Sequence, residues 1–136
     1  MRPLRVIACC LPLALALAAC GQDDAALRQA RDTLAATLPE PYFEDLVVES
    51  VLVEGDALVQ LVRSPEGKAD ATHAHPRFEE LREAEQEALV DLCAVPAIMP
   101  LVATDARLVR RFVDREDGVF FEVEMPAGDC ADAPAG

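Results

Sequence analysis

At 136 residues the chain has the size of one domain. Its 12 Lys and Arg face 25 Asp and Glu, a formal net charge of −13. That balance excludes nucleic acid and anionic lipid surfaces as electrostatic partners, whereas a basic partner would be steered toward the chain.

The first five residues, Met1-Arg2-Pro3-Leu4-Arg5, are positively charged, and an apolar run follows from Val6 to Ala19. A bilayer-spanning helix needs roughly 20 apolar residues, so this run is short for one. A basic start, an apolar middle and small residues at the end instead make a secretory signal peptide. Its last residues, LAACG at 17–21, resemble the lipobox of bacterial lipoproteins. The resemblance implies that residues 1–19 are removed and that Cys20 becomes an acylated first residue. Two or more acyl chains hold a protein stably to a bilayer, where one holds it marginally. In Gram-negative lipoproteins an aspartate directly after the cysteine retains the protein at the inner membrane. Gly21 stands there in this chain, with aspartates at 23 and 24, which implies an outer-membrane address facing the periplasm. Loss of Arg2 and Arg5 with the leader leaves ten basic and 25 acidic side chains, net −15.

Residues 20–24 are expected to be the acylated cysteine and a short polar tether or helix entry, with Asp24 placed to cap the helix after it. Leu27, Ala30, Leu34 and Leu38 recur at helical spacing, predicting an amphipathic helix over 25–38 that Pro39 and Pro41 stop. DLVVESVLVEGDALVQLVRSP, residues 45–65, alternates as a hairpin turning at Gly55-Asp56. Residues 66–76 read as a loop. Pro76 then opens a helix whose face is Phe78, Leu81, Ala88, Leu89 and Leu92 and which reaches about Cys93. AVPAIMP, residues 94–100, is apolar and expected to be irregular. RLVRRFVDREDGVFFEVEMP, residues 107–126, is a second hairpin turning at Asp117-Gly118. The order αββαββ predicts a single α+β domain over 25–130, a four-stranded antiparallel sheet with helices on one face. Residues 131–136 are expected to be a disordered tail.

Cys9 and Cys10 leave with the leader, so Cys93 and Cys130 are the thiols that remain beside Cys20. An oxidising compartment favours their pairing, and closing that loop is worth about 4 kcal/mol on a chain-entropy account. Redox-active pairs sit two residues apart near a helix start, unlike these.

The segments VESVLVEGDALVQLV at 48–62, LVDLC at 89–93, IMPLV at 98–102, LVRRFVDREDGVFFEVEM at 108–125 and GDC at 128–130 resemble a family of small secreted α/β proteins named as quorum-sensing-regulated virulence factors. The resemblance spans roughly residues 40–130. It implies the fold, an exported location and an association with virulence, and it carries no catalytic residues.

Both histidines, His73 and His75, sit in THAHP with Asp70, Glu79 and Glu80 nearby. His-x-His on an extended segment can place two rings around zinc or copper, although a solvated loop leading into a helix explains the same residues. Ser50 and Ser64 lie outside any GxSxG elbow. No enzyme activity and no cofactor are expected. Arg107, Arg110, Arg111 and Arg115 concentrate basic charge on one hairpin, either as a partner-binding patch or in cross-strand pairs with Glu122 and Glu124. The expectation is a noncatalytic cell-envelope lipoprotein, tied to the bilayer through Cys20, that binds another envelope protein or a small ligand. An inhibitor or immunity-type lipoprotein that neutralises a basic hydrolase, and a metal-binding periplasmic protein, are the alternatives.

Overall fold

The computed structural model describes residues 15–133. Residues 1–14, the larger part of the expected leader, and 134–136, the end of the expected tail, lie outside the described residues. The first element is helix α1 (Leu15–Ala35). It begins earlier than Ala25: residues 20–24, Cys-Gly-Gln-Asp-Asp, are part of the helix and do not form a separate tether. Asp24 pairs with Arg28 one turn on instead of capping a new helix. Leu27 and Ala30 are buried, and Leu34 and Leu38 pack partly against the core. Among the described residues no helix is long and apolar enough to cross a membrane.

Five strands follow: β1 (Glu40–Pro41), β2 (Val47–Glu54), β3 (Ala57–Arg63), β4 (Arg107–Val113) and β5 (Val119–Pro126). They lie in the sheet in chain order. Two features of the expected sheet need correction. A fifth strand exists, since Glu40 and Pro41 pair with Val48 and Val47 at the edge. Two residues give no readable alternation, and a proline fits there because an edge strand has no outer neighbour that needs the missing amide. The sheet is also mixed: β3 and β4 run parallel, Val59 beside Val109 and Val62 beside Phe112. The chain between them crosses back over the sheet, as parallel neighbours require.

That crossover contains α2 (Ala69–His73), α3 (Phe78–Ala88) and two 3-10 segments, Leu89–Ala94 and Pro96–Leu101. The expected loop at 66–76 therefore includes a short helix. The expected helix to Cys93 tightens into 3-10 form after Ala88, and the link 94–100 is 3-10 helix rather than irregular. A last 3-10 segment, Ala127–Asp132, carries regular structure two residues beyond the expected domain end. Both hairpins turn where expected, with Gly55 at φ 60° and Asp117 at φ 65°. Glycine takes the first of these without steric cost.

The helices pack on one face of the sheet. Val48, Val51, Leu58, Val62, Leu108, Phe112, Phe121 and Val123 meet Leu27, Ala30, Leu89, Leu92, Ile98 and Leu101 in one core. A smaller cluster of Ala57, Val59 and Val109 lies on the opposite face, which no helix among the described residues covers. Cys93 and Cys130 form the expected disulfide, with Cα atoms 5.2 Å apart, and join the crossover to the chain after β5.

Candidate functional site

Helix α3 lies at the edge of the core without a fully buried residue. Its apolar stripe was expected to face inward throughout, yet Leu81 is 47% exposed. The connection from β1 to β2 swings past it, held by Tyr42 N–H donating to Leu46 O and Leu46 N–H to Phe43 O, and leaves a channel between. Phe43 lies 64% exposed on the far wall. Phe43, Thr72, His75, Phe78, Leu81 and Ala84 enclose a groove of about 350 Å³, rimmed by Glu44, Glu80 and Arg77. Arg77 is itself bound to Glu80. Thr72 and Leu81 also line an adjoining apolar hollow of about 140 Å³, walled by Leu46, Ser64, Gly67 and Glu85, with Phe112, Phe120 and Phe121 as its floor.

The floor is an aromatic stack. Phe112 and Phe121 have centroids 4.6 Å apart, Phe78 meets Phe121 edge-on at 5.9 Å, and Tyr42 meets Phe112 edge-on at 5.9 Å. Gly67 seals one side. A Cβ there would fall 2.8 Å from Ser64 Oγ and 2.9 Å from the Phe120 ring, so the loop approaches closely because residue 67 has no side chain.

A buried polar network fixes the walls in place. Arg110 is 4% exposed on the core face of β4. Its Nε donates to Gln60 Oε1 at 2.7 Å, its Nη1 donates to the Tyr42 hydroxyl at 2.8 Å, and that hydroxyl donates to Glu85 Oε2 at 2.6 Å. Glu85 lies 3.7 Å from Arg110 and neutralises its charge. Burial, then the hydrogen bond to Glu85, push the Tyr42 phenol well above its ordinary range, so it remains a donor. The wall carrying Phe43, the sheet and α3 are thereby joined through four side chains.

The other expected arginines face elsewhere. Arg111 pairs with Glu54 on β2 and Glu122 on β5, and Arg107 with Asp56 and Glu124. Arg63, which sequence reasoning missed, makes the same kind of bridge to Glu49 and Asp117. Hydrogen bonds from the Arg111 and Arg107 guanidinium groups hold Glu54 and Asp56 below the usual carboxylate range. The three arginines thus span the uncovered face of the sheet, where Val59 and Val109 are nonetheless buried beneath side chains. Arg115 is exposed beside the β4–β5 turn. The four arginines, read from the sequence either as a partner-binding patch or as cross-strand pairs with Glu122 and Glu124, are divided among a buried network, an ion-paired face that includes both of those glutamates, and a turn.

The two histidines also part company. His73 Nε2 meets Phe120 O, and its ring stands edge-on to Phe78 at 5.2 Å. His75 Nδ1 accepts from Arg77 N–H at 3.1 Å and lines the groove. Among the described residues no group of three or more His, Cys, Asp or Glu could hold a metal ion. Ser64 Oγ accepts from Gly67 N–H, and no described serine hydroxyl is hydrogen-bonded to a histidine. Cys20 lies within the span of α1. Phe43 and Leu81 are the site residues that sequence reasoning passed over. An aromatic residue between Pro41 and the acids Glu44 and Asp45 was the signal available.

No protein-family model matches the chain, and comparison with curated proteins gives no match. Solved structures do share the fold. A Pseudomonas aeruginosa protein described as secreted, PA3611, superposes with a TM-score of 0.62 at 17% identity, covering 82% of this chain and 95% of its own. The pilotin EpsS of the Vibrio vulnificus type 2 secretion system gives 0.54 at 16% identity, covering 81% and 96%. The type II secretion system pilotin AspS of Vibrio cholerae gives 0.54 at 16% identity, covering 86% and 99%. This chain is similar in fold, over nearly the whole of each, to a protein described as secreted and to two secretion-system pilotins.

Proposed function

We propose that the chain is a noncatalytic lipoprotein of the cell envelope, anchored through acylated Cys20 to the outer membrane and facing the periplasm. There it acts as a pilotin-like interaction module for an envelope protein. The groove between α3 and the β1–β2 connection is the observation that carries this reading. Two large apolar side chains, Phe43 and Leu81, stand exposed across it in a strongly acidic chain. Exposed apolar groups in a concave, polar-rimmed setting are what a protein partner buries. Glu44 at its rim, in a chain of net charge −13, favours an apolar segment flanked by basic residues. The lipobox at 17–21 and the likeness in fold to two pilotins support the location and the class of partner.

The test places a photo-crosslinking amino acid at Phe43 or Leu81 of the full chain in its native envelope, with Leu52 on the uncovered sheet face as control. The expected result is one envelope protein cross-linked from both groove positions, through a segment rich in basic and apolar residues, and not from position 52. Equal products from all three positions, or none from the groove, overturn the reading. A cationic hydrolase as the cross-linked protein would favour the inhibitor function instead. Mass spectrometry of the native chain, compared with Cys20→Ser, checks the anchor: the wild-type mass should carry acyl groups and begin at residue 20.

A further inference from the structure

The path of α1 fixes where the groove stands relative to the anchor. The helix passes through position 20 without interruption, and Leu27, seven residues later, is already buried in the core. At 1.5 Å per residue those seven residues advance only about 10 Å, whereas a flexible tether of the same length could extend to about 24 Å. At this end of the molecule Asp23, Asp24 and Leu27 face Gly55, Asp56 and Asp105 across a shallow cleft of about 240 Å³. From Cys20 to Ala35 the helix runs about 22 Å, and the chain leaving it passes into β1 and Phe43 at the groove. Strand β2 makes the return journey. It leaves the groove wall at Leu46 and ends at the Gly55 turn beside Asp23 and Asp24, about 26 Å away for eight residues.

We propose that α1 is a rigid spacer which stands the domain on the bilayer with the Gly55–Asp56 turn and Asp105 toward the headgroups and the groove at the opposite pole, open to the periplasm. The proposal rests on the acylation of Cys20. The near pole is built to rest on a polar surface and not to enter the acyl layer, since its four aspartates are costly to bury in hydrocarbon. Two of them are already paired, Asp24 with Arg28 and Asp56 with Arg107. A partner reaching the groove would then meet it away from the membrane, with little freedom of the domain to roll over.

The experiment uses the full acylated chain in phosphatidylethanolamine vesicles whose headgroups carry a nitroxide quencher. A fluorophore is attached at Asp105→Cys near the anchor or at Glu116→Cys in the β4–β5 turn at the groove pole. Both residues are exposed, and the native cysteines are occupied by the acyl group and the disulfide. With the poles about 25 Å apart, quenching at 105 should exceed that at 116 by about three-fold or more. An eight-residue Gly-Ser insertion between Gly21 and Gln22 should bring the two toward equality. Equal quenching in the uninterrupted chain, while it still floats with the vesicles, overturns the orientation and leaves the anchor standing. Failure to float overturns the acylation reading, and this inference with it.

Discussion

Asp114 shows how one side chain can organise a turn. It follows β4, is buried, and its carboxylate accepts from the amides of Glu116 and Gly118 at 2.8 Å and of Ala69 at 3.0 Å. The last of these ties the start of α2 to the β4–β5 turn. Gly118 has to be glycine, because a Cβ would lie 2.6 Å from Asp114 Oδ2. The amide donors, that of Ala69 foremost, hold the Asp114 carboxyl below its ordinary value of 3.8. A carboxylate depressed on folding contributes stability that is complete above the unfolded value and is lost as pH falls through the folded one. Glu54 and Asp56 shift in the same direction through Arg111 and Arg107, but as exposed pairs they are weakened by solvent and salt. The melting temperature should therefore hold near neutrality and fall as pH drops below about 5. Asp114→Asn, less stable at pH 7, should show a flatter fall over the acid range. Parallel melting curves for the two proteins from pH 6 to acid would contradict the assignment.

Elements that hold their own information were the ones legible in the sequence. The two long hairpins were readable because alternation and a turn residue of unusual backbone geometry coincide at 55–56 and 117–118. The core stripe of α1 and the cysteine pairing were legible for similar reasons, one from period and the other from chemistry. The illegible features depend on distant contacts. Strand β1 is two residues that pair only because β2 is there, and the parallel contact of β3 with β4 depends on how the crossover lies. Leu81 shares the apolar phase of α3 with Phe78, and nothing local says that the β1–β2 connection stops short of covering it. The same is true of Arg110, whose charge suggested a surface while Tyr42, Glu85 and Gln60, 25 to 68 residues away, make burial tolerable. Edge protection was equally hidden: the Gln86 amide donates to Glu124 O at 2.9 Å and His73 meets Phe120 O, occupying outward backbone groups of β5. The disulfide acts at this scale too, holding the Leu89–Ala94 turn to the segment after β5 across 37 residues. The Cys93→Ala, Cys130→Ala double variant should lose about 4 kcal/mol in chemical denaturation by the chain-entropy account. An unchanged midpoint would mean that packing alone holds these segments.

Charge acts on the whole molecule, and contact acts at the groove, so the two should separate in kinetics. A net charge of −13 over a 14.7 kDa chain creates a field that draws a basic partner from beyond contact distance. That field is screened by salt, with a Debye length falling from about 10 Å at 0.1 M to about 3 Å at 1 M. Phe43 and Leu81, in contrast, contribute only once the partner has seated, and burial of such side chains is nearly indifferent to ionic strength. For the partner identified by cross-linking, raising salt from 0.05 to 0.5 M should slow association by about ten-fold or more and change dissociation little. Leu81→Asp should do the reverse, raising the dissociation rate while the association rate keeps its salt slope. If salt instead left association untouched, the acidic surface would be a solubility feature with no part in recognition. The groove would then bind by its apolar walls alone, and partners would be chosen by shape and not by charge.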